Sequence, residues 1–144
     1  MGVDGHRHQT QSDAAIRGKL VAAGLRPTRQ RVALGRLLFA GADRHVTAEE
    51  LHVEAQRSGE RVSLATVYNA LHQFKDAGLL RELAIEGSKA YFDTNTSNHN
   101  HFYLEGEACL MDIAGPGVRV DGLPAPPRGH RIAHVDVVVR LVKE

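Results

Sequence analysis

Ser63-Leu64-Ala65-Thr66-Val67-Tyr68-Asn69-Ala70-Leu71-His72-Gln73-Phe74-Lys75-Asp76-Ala77-Gly78 is the stretch on which the fold turns. Leu64, Val67, Leu71 and Phe74 recur at intervals of three, four and three, which lines them up along one narrow stripe of a helix. With that stripe buried, Thr66, Tyr68, Asn69, His72, Gln73 and Lys75 are left outside. An exposed Tyr-Asn pair in the first turns of a helix suits base-edge contact, because the N-terminal residues of a recognition helix enter the major groove. An ordinary amphipathic helix is the plainer reading of the stripe alone, so the flanking segments have to decide.

Downstream, LLRELAI (79–85) and KAYFD (89–93) are strand-like runs joined by Glu86-Gly87-Ser88, which reads as a hairpin with Gly87 at the turn. Upstream, three helices are expected. The first spans about 13–23, capped by Ser12 or Asp13 and stopped by Gly24. The second starts after the N-cap Thr28 and ends near Ala40, with Val32, Leu34, Leu37 and Leu38 inward and Arg29, Arg31 and Arg36 outward. The third opens on a capping box, Thr47 with Glu50, and closes at Ser58-Gly59. Helices followed by a hairpin in this order compose a winged helix-turn-helix. Residues 1–12 are polar and aperiodic and are expected to be a disordered tail, whose His6 and His8 would meet metal only adventitiously.

The net charge of +1 conceals an uneven distribution. Between Arg17 and Arg36 stand six basic residues, Arg17, Lys19, Arg26, Arg29, Arg31 and Arg36, and no acidic one. Such a block suits phosphates, since sequence-independent affinity for nucleic acid comes from Lys and Arg; a solvated helix face is the bland alternative. No run approaches the roughly 18 apolar residues of a membrane span and the polar start has no apolar signal region, so a cytoplasmic protein with no membrane partner is expected. One cysteine, Cys109, excludes an intrachain disulfide and a CxxC zinc clamp; it is expected to be a small buried residue.

Beyond Thr94 the composition changes. Residues 95–98 read as a hinge, and HFYLEG, ACLMDI and HVDVVVRLV read as strands, the last with Val135, Val137, Val139 and Leu141 on one face. The proline-rich stretch from Gly115 to Gly129 reads as an irregular crossing loop. A strand-rich segment of this size gains by pairing with a second copy, so a homodimer is expected. At its start, Asn98-His99-Asn100-His101-Phe102-Tyr103 sets His99 and His101 two apart on an expected strand, where both would project from one face and reach one ion. The fold class expected is α+β, a winged helix over 13–94 followed by a small α/β dimerisation and ligand-sensing domain over 99–144.

LRPTRQRVALGRLL, HVTAEEL, VSLATVYNALHQFKDAGLL, KAYFD, NHNHFY and IAHVDVVVRLV, in this order and spacing, resemble the ferric uptake regulator (Fur) superfamily, and within it the heme-responsive iron response regulator (Irr) branch. The resemblance covers about 20–142 and implies a homodimeric transcription regulator, not an enzyme, that binds a double-stranded DNA operator and controls iron or heme genes. It further implies a regulatory metal held by His45, Asp93, His99, His101 and Asp112. The family more often has Glu at the last two carboxylate positions. Imidazoles with carboxylates suit Fe, Mn or Zn. The branch makes His99 and His101 candidate heme ligands as well, with a heme-synthesis enzyme as the implied donor; no Cys-Pro heme motif is present, because Leu110 follows Cys109. Leu104 and Glu107 stand where the family's first structural-zinc cysteines fall, so no structural cysteine zinc site is expected. Asn98, Asn100 and Arg119 similarly replace ligands of a second metal site and leave His134.

On DNA, Tyr68 and Asn69 are the expected base readers, with Thr66 and Gln73 beside them, Arg26 on backbone or minor groove and Arg29 on phosphate. Asn69 stands where many family members have Arg, and Asn pairs with adenine where Arg prefers guanine. A small metalloenzyme with Glu105 or Glu107 as general base is the remote alternative.

Overall fold

The computed structural model describes residues 13–86, 89–115 and 117–144. The expected N-terminal tail and the Gly87 turn lie outside the described residues. The chain divides into two compact units, Met1–Thr96 and Ser97–Glu144.

The first unit follows the amphipathic periods. Helix α1 covers 13–22 and stops at Gly24, whose φ of 82° lets the Leu25 N–H turn back to the Leu20 carbonyl at 2.9 Å. Helix α2 (Arg29–Phe39) starts where Thr28 accepts the Arg31 N–H, α3 (Ala48–Arg57) has the reciprocal Thr47–Glu50 capping box, and α4 (Leu64–Asp76) is capped by Ser63 accepting from the Thr66 N–H. Their apolar stripes converge on Leu20, Leu34, Leu38, Leu51, Val67, Leu71 and Phe74, all 1% exposed or less. Each such side chain contributes on the order of 1.5–3 kcal/mol of transfer free energy. Against this core lies the wing, β2 (Arg81–Glu86) antiparallel to β3 (Lys89–Asp93), with a register shift between Ala84 and Glu86.

One strand was not foreseen from sequence. His45 and Val46 form β1 on the far edge of β3, in register with Asp93 and Phe92, so the sheet order is β1-β3-β2. Two residues are too few to show alternation. Long-range bonds hold them instead: the Arg44 N–H donates to Thr94 Oγ1 and the Thr94 N–H to the Arg44 carbonyl, both at 2.9 Å.

The second unit is a three-stranded sheet ordered β5-β4-β6: β4 (His101–Leu104) at the centre, β5 (Cys109–Asp112) antiparallel to it and β6 (Val138–Leu141) parallel. The 117–137 stretch carries no regular element, as its prolines and glycines require. Two expectations change here. The terminal strand is shorter than 134–142, covering four residues. Cys109 is exposed, because Leu110 takes the inward place on edge strand β5 and its neighbours alternate outward. Among the described residues no helix is long and apolar enough to cross a membrane.

Candidate metal centre and nucleic-acid face

In the second unit the pairing of β4 with β5 sets His101 directly opposite Asp112. Directly opposed residues on one face of an antiparallel pair touch, and His101 Nε2 lies 3.1 Å from Asp112 Oδ1. His99 precedes the strand rather than lying in it, so strand alternation is not what aims it. Its aim comes from the bend before β4, where its Nδ1 lies 2.8 Å from the Ser97 carbonyl. A carbonyl can only accept, so Nδ1 carries a proton there, and Nε2 is the nitrogen turned toward Asp112. That Nε2 is 3.6 Å from the same Asp112 Oδ1, and the two imidazole centroids are 4.5 Å apart. His101 is fully buried, while the Asp112 side chain is 52% exposed, leaving the cluster open on the carboxylate side.

The donor set fits a transition-metal ion. Ligands about 2.1 Å from a metal lie roughly 3.0–3.4 Å from one another; of the two Nε2-to-Oδ1 separations, 3.1 Å falls inside that range and 3.6 Å just beyond it. A carbonyl accepting from the non-ligating nitrogen of His99 is the outer-shell arrangement that orients metal-bound imidazoles. In the first unit, His45 and Asp93 are Cα partners across β1 and β3. Asp93 is 1% exposed and accepts from the Asn95 N–H at 2.9 Å, and the His45 ring meets Tyr91 edge-on at 6.1 Å.

The family model for the ferric uptake regulator family matches residues 22–114. The peroxide-responsive repressor PerR of Staphylococcus aureus is 34% identical over 114 residues, spanning 79% of this chain and 74% of its own. The chain belongs to the ferric uptake regulator family. Its regulators are not enzymes, and this Fur-family chain is a transcription regulator with an N-terminal winged-helix DNA-binding domain and a dimerisation domain. Among solved structures, the ferric uptake regulator of Pseudomonas aeruginosa with manganese superposes with a TM-score of 0.68 at 27% identity, covering 89% of this chain and 97% of that one. The regulator of Vibrio cholerae gives 0.70 at 22%, covering 88% and 98%, and shares the fold.

The winged helix of this Fur-family member exposes Asn69, His72 and Gln73 on α4 as expected, but Thr66, Tyr68 and Lys75 are half-buried rather than exposed, Tyr68 because its ring packs against the core. A groove of about 300 Å³ runs between α2 and α4, lined by Thr28, Arg31, Thr66, Asn69 and Gln73 among others. Arg26 and Arg29 are exposed beside it. The basic block is less uniform than its composition. Arg36 does not face outward freely, because it forms a two-point ion pair with Asp13, at 2.7 and 3.2 Å. Lys19 sits over the Phe39 ring at 4.8 Å, and Arg31 turns across the groove to Gln73.

Two engagements on α4 had no sequence signal. Tyr68 donates its hydroxyl to Glu49 Oε1 at 2.8 Å and stacks on His72, which pushes the phenol pKa above its ordinary 10.0, first through that hydrogen bond and then through burial. Lys75 bonds Glu82 at 2.9 Å and is raised above 10.5, chiefly by that bond and then by the carboxylate's charge. The contacts of Arg31 with Gln73 and of Tyr68 with Glu49 span 42 and 19 residues, beyond any local pattern.

Proposed function

We propose that this chain is a divalent-metal-responsive transcriptional repressor in which α4 reads an operator and His99, His101 and Asp112 hold the effector ion. The observation that carries it is the convergence of two imidazole Nε2 atoms on one carboxylate oxygen in the second unit, one imidazole locked by the Ser97 carbonyl. His45 and Asp93, opposed across the first unit's sheet edge, are the further ligands the family resemblance adds. Two imidazoles and carboxylates favour Mn, Fe or Zn over Ca or Mg. The ion supplies charge and a coordination demand; the residues supply ligand geometry, the His99 tautomer and a buried wall at His101. A metal that binds one arrangement of the units better than another shifts the population toward it by that difference in affinity.

On DNA, Tyr68, Asn69, Thr66 and Gln73 are the base-facing candidates and Arg26 and Arg29 the backbone ones. The chain acts as a homodimer through the second unit, a reading supported by the large apolar side chains exposed there, Met111 at 48%, Leu123 at 49% and Val142 at 72% among them. Heme on His99 or His101 is the finer reading that the Irr-like motifs imply, and it would use the same nitrogens. Full burial of His101 and its 3.1 Å approach to Asp112 favour a small ion over a macrocycle. Neither the family match nor the relatives distinguish the heme-responsive branch or point to a heme-synthesis partner.

Metal analysis of freshly purified protein, paired with a heme titration, separates the two. The expected outcome is near-stoichiometric transition metal that the double variant His99→Ala with His101→Ala loses while its far-ultraviolet circular dichroism is kept. Undiminished metal uptake by that variant would overturn the assignment. Fluorescence anisotropy with labelled promoter DNA tests the regulator reading, which fails if neither the metal-free nor the metal-loaded protein prefers any sequence.

A further inference from the structure

Arg31 reaches from α2 across the groove to α4 and places two of its N–H groups on one atom of Gln73: Nε at 3.2 Å and Nη2 at 2.9 Å. Its third contact, Nη1 to the Arg26 carbonyl at 2.9 Å, fixes the guanidinium plane from the other side. Arginine has five donors and no acceptor. The carboxamide atom facing it is therefore the oxygen, Oε1. With Oε1 held by a fork, the Nε2 amino group is the part of the Gln73 carboxamide still available to bond elsewhere, as a donor.

We infer that Arg31 is a specificity-positioning residue: by holding Gln73 Oε1 it turns Gln73 from an adenine reader into a donor-only reader that selects guanine in the operator. This rests on the reading of α4 as the base-reading helix. An unrestrained glutamine pairs with adenine by accepting from N6 while donating to N7, which needs both Oε1 and Nε2. A glutamine with its oxygen withdrawn offers two N–H groups, and in the major groove guanine alone shows two adjacent acceptors, O6 and N7. Thymine, with the single O4, comes second. Adenine comes behind, because its N6 amino group would face another donor. Asn69, one turn earlier and lining the same groove, stays suited to adenine, so the two carboxamides of α4 would read different bases.

The test is fluorescence anisotropy of full-length, metal-loaded protein against operator duplexes that carry each base in turn at every position of the half-site. Wild type is expected to favour guanine over adenine at one position by at least about fivefold, the low end of a single base contact, and Gln73→Ala to flatten that position alone. Arg31→Leu should shift the same position toward adenine, since the released carboxamide can present both atoms. Arg31→Lys, which keeps a donor for Oε1, should keep part of the guanine preference. Gln73→Glu, acceptor-only and still paired to Arg31, should exchange guanine for cytosine, whose N4 is a donor. If Arg31→Leu weakens every duplex by one factor and leaves the base ratios unchanged, Arg31 acts on phosphate or on folding and the inference falls. If Gln73→Glu leaves the guanine preference intact, it falls independently of how Arg31→Leu folds. A wild type that shows no preference at any position overturns the base-reading role of α4 itself, an outcome distinct from both.

Discussion

At Asp112 one half-exposed carboxylate meets two imidazoles, and removing its charge tests whether the three residues act together. Asp112→Asn keeps the shape while halving the acceptors, and it should weaken metal binding at least tenfold to a hundredfold, roughly the loss seen even for outer-shell partners. Isothermal titration with Mn or Zn measures this; affinity within twofold of wild type would remove Asp112 from the site. On the DNA side, Asn69→Ala should lose about 1–3 kcal/mol of discrimination at one base pair, whereas Arg29→Ala should weaken all sequences alike and lower the salt slope by about 1. An Arg29→Ala protein with altered base ratios would contradict its placement on phosphate. At this scale residue type was legible from sequence and partner was not. The imidazole pair could be picked out by spacing, yet the group that aims His99 is a backbone carbonyl, which has no letter of its own.

Among the elements, the approach of α1 to α2 turns on Gly35. A Cβ there would lie 2.9 Å from Ile16 Cγ2, and Ile16 is 3% exposed and β-branched, so it cannot easily yield. Alanine improves intrinsic helix propensity by about 1 kcal/mol, but overpacking costs typically 1–3 kcal/mol, so Gly35→Ala should be neutral to destabilising by about 2 kcal/mol. Urea denaturation of the cycle with Ile16→Ala should show strong non-additivity, because that change deletes the clashing methyl; additive effects would exonerate the contact. Helix α4 carries two groups that titrate at the alkaline end. Tyr68 and Lys75 both have folded-state values above their ordinary 10.0 and 10.5, through Glu49 and Glu82. Their contribution is therefore complete below about pH 10 and fades as pH climbs through the raised values. Both groups are substantially solvated, so the effect is small. Stability measured between pH 9 and 11.5 should decline less steeply in Lys75→Gln with Tyr68→Phe than in wild type, and parallel curves would refute the linkage.

For the molecule as a whole, exposed large apolar residues are unevenly shared. Among the described residues the second unit bears Met111, Leu123, Ile132, Leu141 and Val142 on its surface, against Val21 and Val53 in the first. A three-stranded sheet with such a surface is marginal alone and gains by covering it. Sedimentation analysis should find a dimer at micromolar concentration. Leu141→Asp with Val142→Asp should shift it to monomer with the first unit still folded. A wild-type monomer would refute self-association, and an undisturbed dimer in the variant would move the interface elsewhere on the unit.

The sequence by itself determined the four helices, the N-caps of α2, α3 and α4 and the two strands of the wing, because amphipathic period, capping boxes and strand alternation are local and each is written within a dozen residues. It also narrowed any metal site to imidazoles and carboxylates with at most one thiolate, since the chain has a single cysteine. Tertiary structure decided what depends on residues far apart in the chain. The two-residue β1 depends on its pairing with β3 and on the flanking bonds between Arg44 and Thr94, and the pairing of His101 with Asp112 follows from the register of β4 on β5. The basic block resolves into exposed Arg26 and Arg29, an Arg36 neutralised by Asp13 and an Arg31 that holds Gln73. Charge and hydrogen-bonding capacity belong to a residue's type, but their direction is set by whichever partner folding brings within about 3 Å.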